Sequence, residues 1–145
     1  MPARTKRGQT FSPPLHLEVD CTFASVRACA AKVRSYLAGR GVAEKEIWAC
    51  ELAFVEGCNN AVQHTPRAHS SEKIEVDLSL RNGEIELRIK DHTSGFEFPP
   101  DSILPPDENE SGRGIFLMRS LMDDVTYTRK DSTNCLVLKK ALTGI

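Results

Sequence analysis

The strongest constraint in the sequence is a hairpin. Ile74, Val76, Leu78 and Leu80 alternate with polar residues, Asn82-Gly83 follows, and Ile85, Leu87 and Ile89 alternate on the way back. Asn-Gly is the favoured two-residue turn because both positions need a positive φ, which these residues tolerate. Period-two alternation puts the apolar side chains of both strands on one face. A sheet built on this hairpin therefore has one dry face and one wet face, and helices must cover the dry one.

Two helical stretches lie before the hairpin. Phe23, Val26, Ala30, Val33 and Leu37 recur at helical spacing, Asp20 or Thr22 can cap them, and Gly39 and Gly41 end the run. A second helix is expected from about Ala43 to His64, with Pro66 as its stop. On its wheel Ile47, Cys50, Phe54, Cys58, Ala61 and Val62 share one side, while Glu56, Asn60 and Gln63 share the other. Upstream, Leu15, Leu17 and Val19 alternate after Pro13-Pro14, which predicts a short edge strand.

After the hairpin, residues 97–111 hold four prolines and five acids with little periodicity, a long loop of the kind used as a lid or binding loop. Gly112 is read as opening a third helix, with Ile115, Met118, Leu121 and Met122 on one face. Val125–Arg129 and Cys135–Leu142 read as a last antiparallel pair. The order β, α, α, β, β, loop, α, β, β predicts an α+β fold: a two-layer sandwich of one mixed, mainly antiparallel sheet covered on one face by about three helices. Residues 11–145 are expected to form a single domain, preceded by a basic arm over 1–10 that is expected to be disordered.

Length and charge agree with this. The chain has 145 residues, enough for one domain with a real core, and a net charge of −1 that gives no global pull toward nucleic acid or anionic membrane. No apolar run is long enough to span a bilayer, and no apolar segment follows the basic N-terminus as a secretory signal requires. The 5 cysteines include no C-x-x-C pair and read as small buried apolar side chains in a reducing compartment, so a cytoplasmic location is expected.

Three stretches can carry chemistry together. Glu56 and Asn60 stand one turn apart on a helix; Asp91 ends a strand and leads into Gly95; Gly112-Arg113-Gly114 opens a helix after a long loop. Helix N-termini and glycines suit phosphate, and an arginine adds a charge-assisted contact. A buried aspartate can accept from an exocyclic base amine. An asparagine oxygen is a hard ligand suited to Mg²⁺, and a neighbouring glutamate can act as a general base in phosphoryl transfer. Singly, each also has a plain reading: a wet helix face, a strand-end turn residue, a tight loop into a helix.

The conjunction resembles a family. Asn60-Ala61-Val62-Gln63-His64, preceded by Glu56, resembles the asparagine-bearing helix of the GHKL ATPase superfamily. Within it, Gly112-Arg113-Gly114-Ile115-Phe116-Leu117-Met118 followed by Leu121-Met122-Asp123-Asp124-Val125 is similar to the bacterial anti-sigma-factor serine/threonine kinases. The closing Thr133-x-Cys135-x-Val137-x-Lys139 resembles their last strand. The resemblance implies a Bergerat-type site for ATP and Mg²⁺. In it Glu56 would be the catalytic base and Asn60 the metal ligand. Asp91 would take the adenine amine, and Gly95, Gly112, Arg113, Gly114, Ile115 and Thr133 would complete the pocket under a lid at about 97–111. It further implies phosphorylation of a small antagonist protein on serine or threonine, sequestration of a sigma factor or similar partner, and a homodimer, without direct contact to nucleic acid or membrane.

The chain departs from the family pattern at Thr93 and Ser132, where glycine is usual, and at Glu110, where some relatives carry arginine. An alternative reading is a non-catalytic nucleotide-binding anti-sigma or scaffold module. A plain interaction domain would require all three motifs to be coincidence.

Overall fold

The structure is a computed structural model that describes the backbone of residues 3–5, 9–11, 13–65, 72–92 and 110–142, and the side chains of 13–65, 72–92 and 114–142. The elements in order are β1 (Ala3–Thr5), β2 (Gln9–Phe11), β3 (Leu15–Val19), α1 (Phe23–Ala38), α2 (Glu44–Gln63), β4 (Ile74–Arg81), β5 (Glu84–Asp91), α3 (Glu110–Leu121), β6 (Asp124–Lys130) and β7 (Thr133–Ala141). Every strand pairing among the described residues is antiparallel. The sheet is thus antiparallel throughout that part, where a mixed one was allowed for. Its main order is β3-β4-β5-β7-β6, with β3 beside β4 alone, as an edge strand should be. Within the stretch expected to be an arm, β1 pairs with β2, and Phe11 of β2 meets Arg81 of β4.

The hairpin that constrains the fold is present. Asn82 and Gly83 have φ of 51° and 74°, so both central residues are left-handed and the strands register without a bulge. Val76, Leu78, Ile85, Leu87 and Ile89 are buried, joined from β7 by Leu136 and Leu138. All face the helices, and with α1, α2 and α3 they form one core.

The opposite face carries charge arranged in partners. The register sets Glu75 opposite Lys90, Asp77 opposite Arg88 and Glu86 opposite Lys139. His16 on β3 bonds Asp77 at 2.7 Å, and Glu86 takes both Arg88 at 2.7 Å and Lys139 at 3.8 Å. Such pairs favour the observed register over a slipped one.

Thr22 caps α1, its hydroxyl accepting from the Ser25 amide at 3.1 Å. Phe23, placed on the apolar face by spacing, is 49% exposed, because the covered stripe starts one turn later at Val26. Helix α2 has no side-chain cap, but Glu44 and Glu46 in its first turn suit the positive end of the helix dipole. Arg34 of α1 clamps the start of α2 by bonding Glu44 and Glu51, both at 2.8 Å.

Helix α3 begins at Glu110 and not at Gly112. Gly112, Arg113 and Gly114 therefore lie inside its first turns, two residues on from its start. Glycine's poor helix propensity makes it read as a boundary. Burial of Ile115 and Met118 in the core holds the helix there nonetheless. Of the expected lid, 97–109 lies outside the described residues, and Glu110 and Ser111 belong to α3.

Candidate nucleotide site

Helix α2 runs through the middle of the molecule, so its polar side is not left in water. Gly57 allows this. A Cβ built on it would stand 2.8 Å from Ile89 Cδ1 and 2.9 Å from Leu136 Cδ2, closer than real side chains approach. Only a residue without a side chain lets α2 lie this tightly on β5 and β7. Asn60, one turn further on, is then 4% exposed, and Glu56 is half-buried.

Helix α3 closes over these two residues. A Cβ on Gly114 would meet Glu56 Oε2 at 2.9 Å, Asn60 Nδ2 at 3.6 Å and Asn60 Oδ1 at 3.7 Å. Glu56, Asn60 and Gly114, found separately in the sequence, are therefore in one place. Burial pushes the Glu56 carboxyl above its ordinary range, the direction that suits a proton acceptor working near neutral pH. Asn60 Nδ2 is buried and has no hydrogen-bond partner among the described residues. A buried amide with unused bonding capacity is costly unless something completes it. An amide N–H donates, so an acceptor such as a phosphate oxygen would complete Nδ2, and Oδ1 is the atom of this side chain that could serve a cation.

This arrangement fits a phosphate-bound Mg²⁺. One neutral oxygen donor suits a cation that takes its other ligands from phosphate and water. Among the described residues no group of three or more His, Cys, Asp or Glu forms an all-protein metal cage.

A second cluster sits at the ends of β5 and β7. Asp91 is 7% exposed, and Asn134, opposite it in register, is fully buried. Asn134 Nδ2 donates to Asp91 Oδ1 at 2.8 Å, and Arg129 Nη1 of β6 donates to Asn134 Oδ1 at 2.8 Å. Thr133 Oγ1 lies 3.4 Å from His92 Nδ1 beside them. Asp91 borders a water-sized cleft of about 10 Å³ with Cys21, Thr65 and Ile74. It also faces α2: burial and then the nearby Cys29 and Asp91 push the Cys58 thiol up.

Of the remaining residues expected at the site, Ile115 is buried in the core. Gly112 and Arg113 belong to α3, and their side chains lie outside the described residues, as do Gly95 and Thr93 altogether. Asn134 went unread in the sequence. Its signal was a polar residue in phase with Leu136 and Leu138 on the apolar face of a strand.

Comparison with known proteins follows the same outline. The serine-protein kinase RsbW of Bacillus thuringiensis (strain Al Hakam) is 29% identical over 108 residues, covering 68% of this chain and 67% of that protein. The serine/threonine-protein kinase BtrW of Bordetella bronchiseptica is 28% identical over 109 residues, covering 67% of this chain and 76% of that protein. In fold, the chain resembles the structure of the RsbU and RsbW domains of Rv1364c from Mycobacterium tuberculosis. The TM-score is 0.70 at 22% identity, over 90% of this chain and 33% of that one. The SiaB–SiaC complex from Pseudomonas aeruginosa gives a TM-score of 0.60 at 12% identity, over 88% of this chain and 89% of that one. The histidine kinase-like ATPase domain matches residues 19–140, a span from β3 to β7 that holds Glu56, Asn60, Asp91 and Gly114, and the chain belongs to that family.

Proposed function

We propose that the chain is an ATP-dependent protein serine/threonine kinase of a partner-switching module. The observation that carries this is the buried Asn60 amide, whose Nδ2 has no partner among the described residues, beside half-buried Glu56, both directly under Gly114 of α3. The names of the relatives RsbW and BtrW support the same activity.

In this reading Asp91 accepts from the exocyclic amine of adenine, and Gly95, Gly112, Arg113, Gly114, Ile115 and Thr133 line the rest of the pocket. Asn60 would hold Mg²⁺, which would neutralise phosphate charge when bound. Glu56 accepts the proton of a serine or threonine hydroxyl on a small antagonist protein. The hydroxyl oxygen bonds to the γ-phosphorus as the bond to the β–γ bridging oxygen breaks, and ADP leaves. The raised Glu56 pKa makes it a stronger base than an exposed carboxylate. A sigma factor or analogous regulator is the second partner, the active form is a homodimer, and the module works in the cytoplasm. In the described residues no helix is long and apolar enough to cross a membrane.

The test is phosphate transfer from ATP with Mg²⁺ to a small antagonist-domain protein that binds this chain. Phosphoserine or phosphothreonine should form, and Glu56→Gln should abolish transfer while ATP still binds. ATP binding without transfer to the antagonist would leave the non-catalytic scaffold reading in its place.

A further inference from the structure

We propose that the protein phosphorylated by this chain docks along an apolar seam between α2 and α3, which leads away from Glu56 and ends in a groove anchored by Trp48. This rests on the kinase reading above. Asn60, Glu56, Leu52 and Trp48 follow one another at four-residue steps, so they share one stripe of α2. Gly114, Leu117 and Leu121 share a face of α3 in the same way. Gly114 lies on Glu56 and Asn60, while Leu121 and Trp48 line one groove. The two helices therefore run antiparallel, with Leu52 and Leu117 in the interval between those two points.

The groove encloses about 570 Å³, and Trp48 is 54% exposed beside it. Leu52 and Leu117 are half-buried and stand outside the main core. Open apolar surface of this kind marks a place for another molecule, and tryptophan is enriched among the residues that carry binding energy. The occupant follows from the order along α2. In the kinase reading Asn60 is at the phosphate and Glu56 at the acceptor hydroxyl, so the body of the acceptor protein lies beyond Glu56, toward Leu52 and Trp48. Trp48 precedes Glu56 by 8 residues. That is about 12 Å of helix, which a docking patch of about 800 Å² per partner spans. Charge fits the same occupant. Of the charged residues lining the groove, Glu46 is buried, Asp123 Oδ2 accepts from the Ala141 amide at 2.6 Å, and Lys140 Nζ donates to Leu121 O at 3.0 Å. Lys45 is exposed and takes part in no such bond among the described residues. The acceptor protein therefore presents a large apolar side chain to Trp48 with a carboxylate beside it for Lys45.

The experiment is titration calorimetry of the full chain with a small antagonist-domain protein that binds it, in ADP and Mg²⁺, alongside phosphate-transfer kinetics with ATP. Trp48→Ala should weaken antagonist binding about 30-fold and raise the KM for the antagonist by a similar factor, with kcat and ATP affinity changed by less than about 2-fold. Lys45→Glu should weaken antagonist binding about 5-fold at low ionic strength and by less at high salt. Antagonist affinity unchanged by Trp48→Ala would overturn the proposal. So would an equal loss of ATP affinity, the sign of a disturbed helix. A fall in the solution mass of the free chain on Trp48→Ala would assign the groove to a second copy and overturn it as well. A wild-type chain that binds the antagonist and transfers no phosphate would remove the kinase reading and not the docking surface, which the affinities decide.

Discussion

Gly114 of α3 is packed against Glu56 of α2 with no space for a methyl group between them: a Cβ there would lie 2.9 Å from Glu56 Oε2. The neighbour is the tip of a flexible side chain, so the overlap is relieved by moving the carboxylate rather than the helices. Alanine is also a better helix former than glycine by about 1 kcal/mol. Gly114→Ala should therefore leave the melting temperature unchanged or raise it. On the proposed kinase reading, phosphate transfer should fall by about 100-fold, as expected when a catalytic group is displaced. Single-turnover kinetics and a thermal melt on the same preparation check both halves.

Burial holds the Glu56 pKa above its ordinary value of 4.5. The base form is populated only above the raised value, so the acid limb of the rate profile should fall at a higher pH than an exposed glutamate would give. The stability effect has the opposite sense. Between 4.5 and the native value the folded chain keeps a proton that the unfolded chain releases, so this contribution is present at acid pH and lost as pH rises through the native pKa. Glu56→Gln should thus gain stability relative to wild type as pH rises through that window, in urea melts taken at each pH.

Gly57 gives a contrasting case. Alanine there gains about 1 kcal/mol of helix propensity but drives a methyl into buried Ile89 and Leu136, and overpacking of this kind costs about 1–3 kcal/mol. Gly57→Ala should lose about 1 kcal/mol net, read as a lower urea midpoint at constant m-value.

The β6–β7 turn is built from Asp131 and Ser132, at φ of 53° and 65°. Aspartate visits this region more readily than serine, which bears the strain of a Cβ near the carbonyl. Ser132→Gly should stabilise the chain by about 0.5–1 kcal/mol, raising the melting temperature by a few degrees without altering nucleotide affinity.

Much of this was legible because it is periodic. Alternation in 74–89 and 135–138 and the helical spacing in 26–37 and 47–62 produced the strands, helices and dry face now seen. The polar side of α2 was harder to read. Its periodicity fits a wet surface, and only the close fits at Gly57 and Gly114, which depend on what two distant segments place opposite a missing side chain, bury it. Asn134 was missed because its partner is 43 positions away and is brought near by register, a non-local quantity. Helix α3 starts two residues ahead of Gly112 because the packing of Ile115 and Met118 outweighs the poor helix propensity of glycine.

The helix-free face of the sheet has a consequence for how this molecule meets others. Among the described residues it holds ion pairs between strands, His16 with Asp77 and Glu86 with Lys139, and one along β5, Glu86 with Arg88. A visitor landing there would have to strip water from satisfied ions and would find little bare hydrocarbon in return. A partner that docks on the helical layer, which also holds Glu56, Asn60 and Gly114, avoids the cost of breaking those pairs.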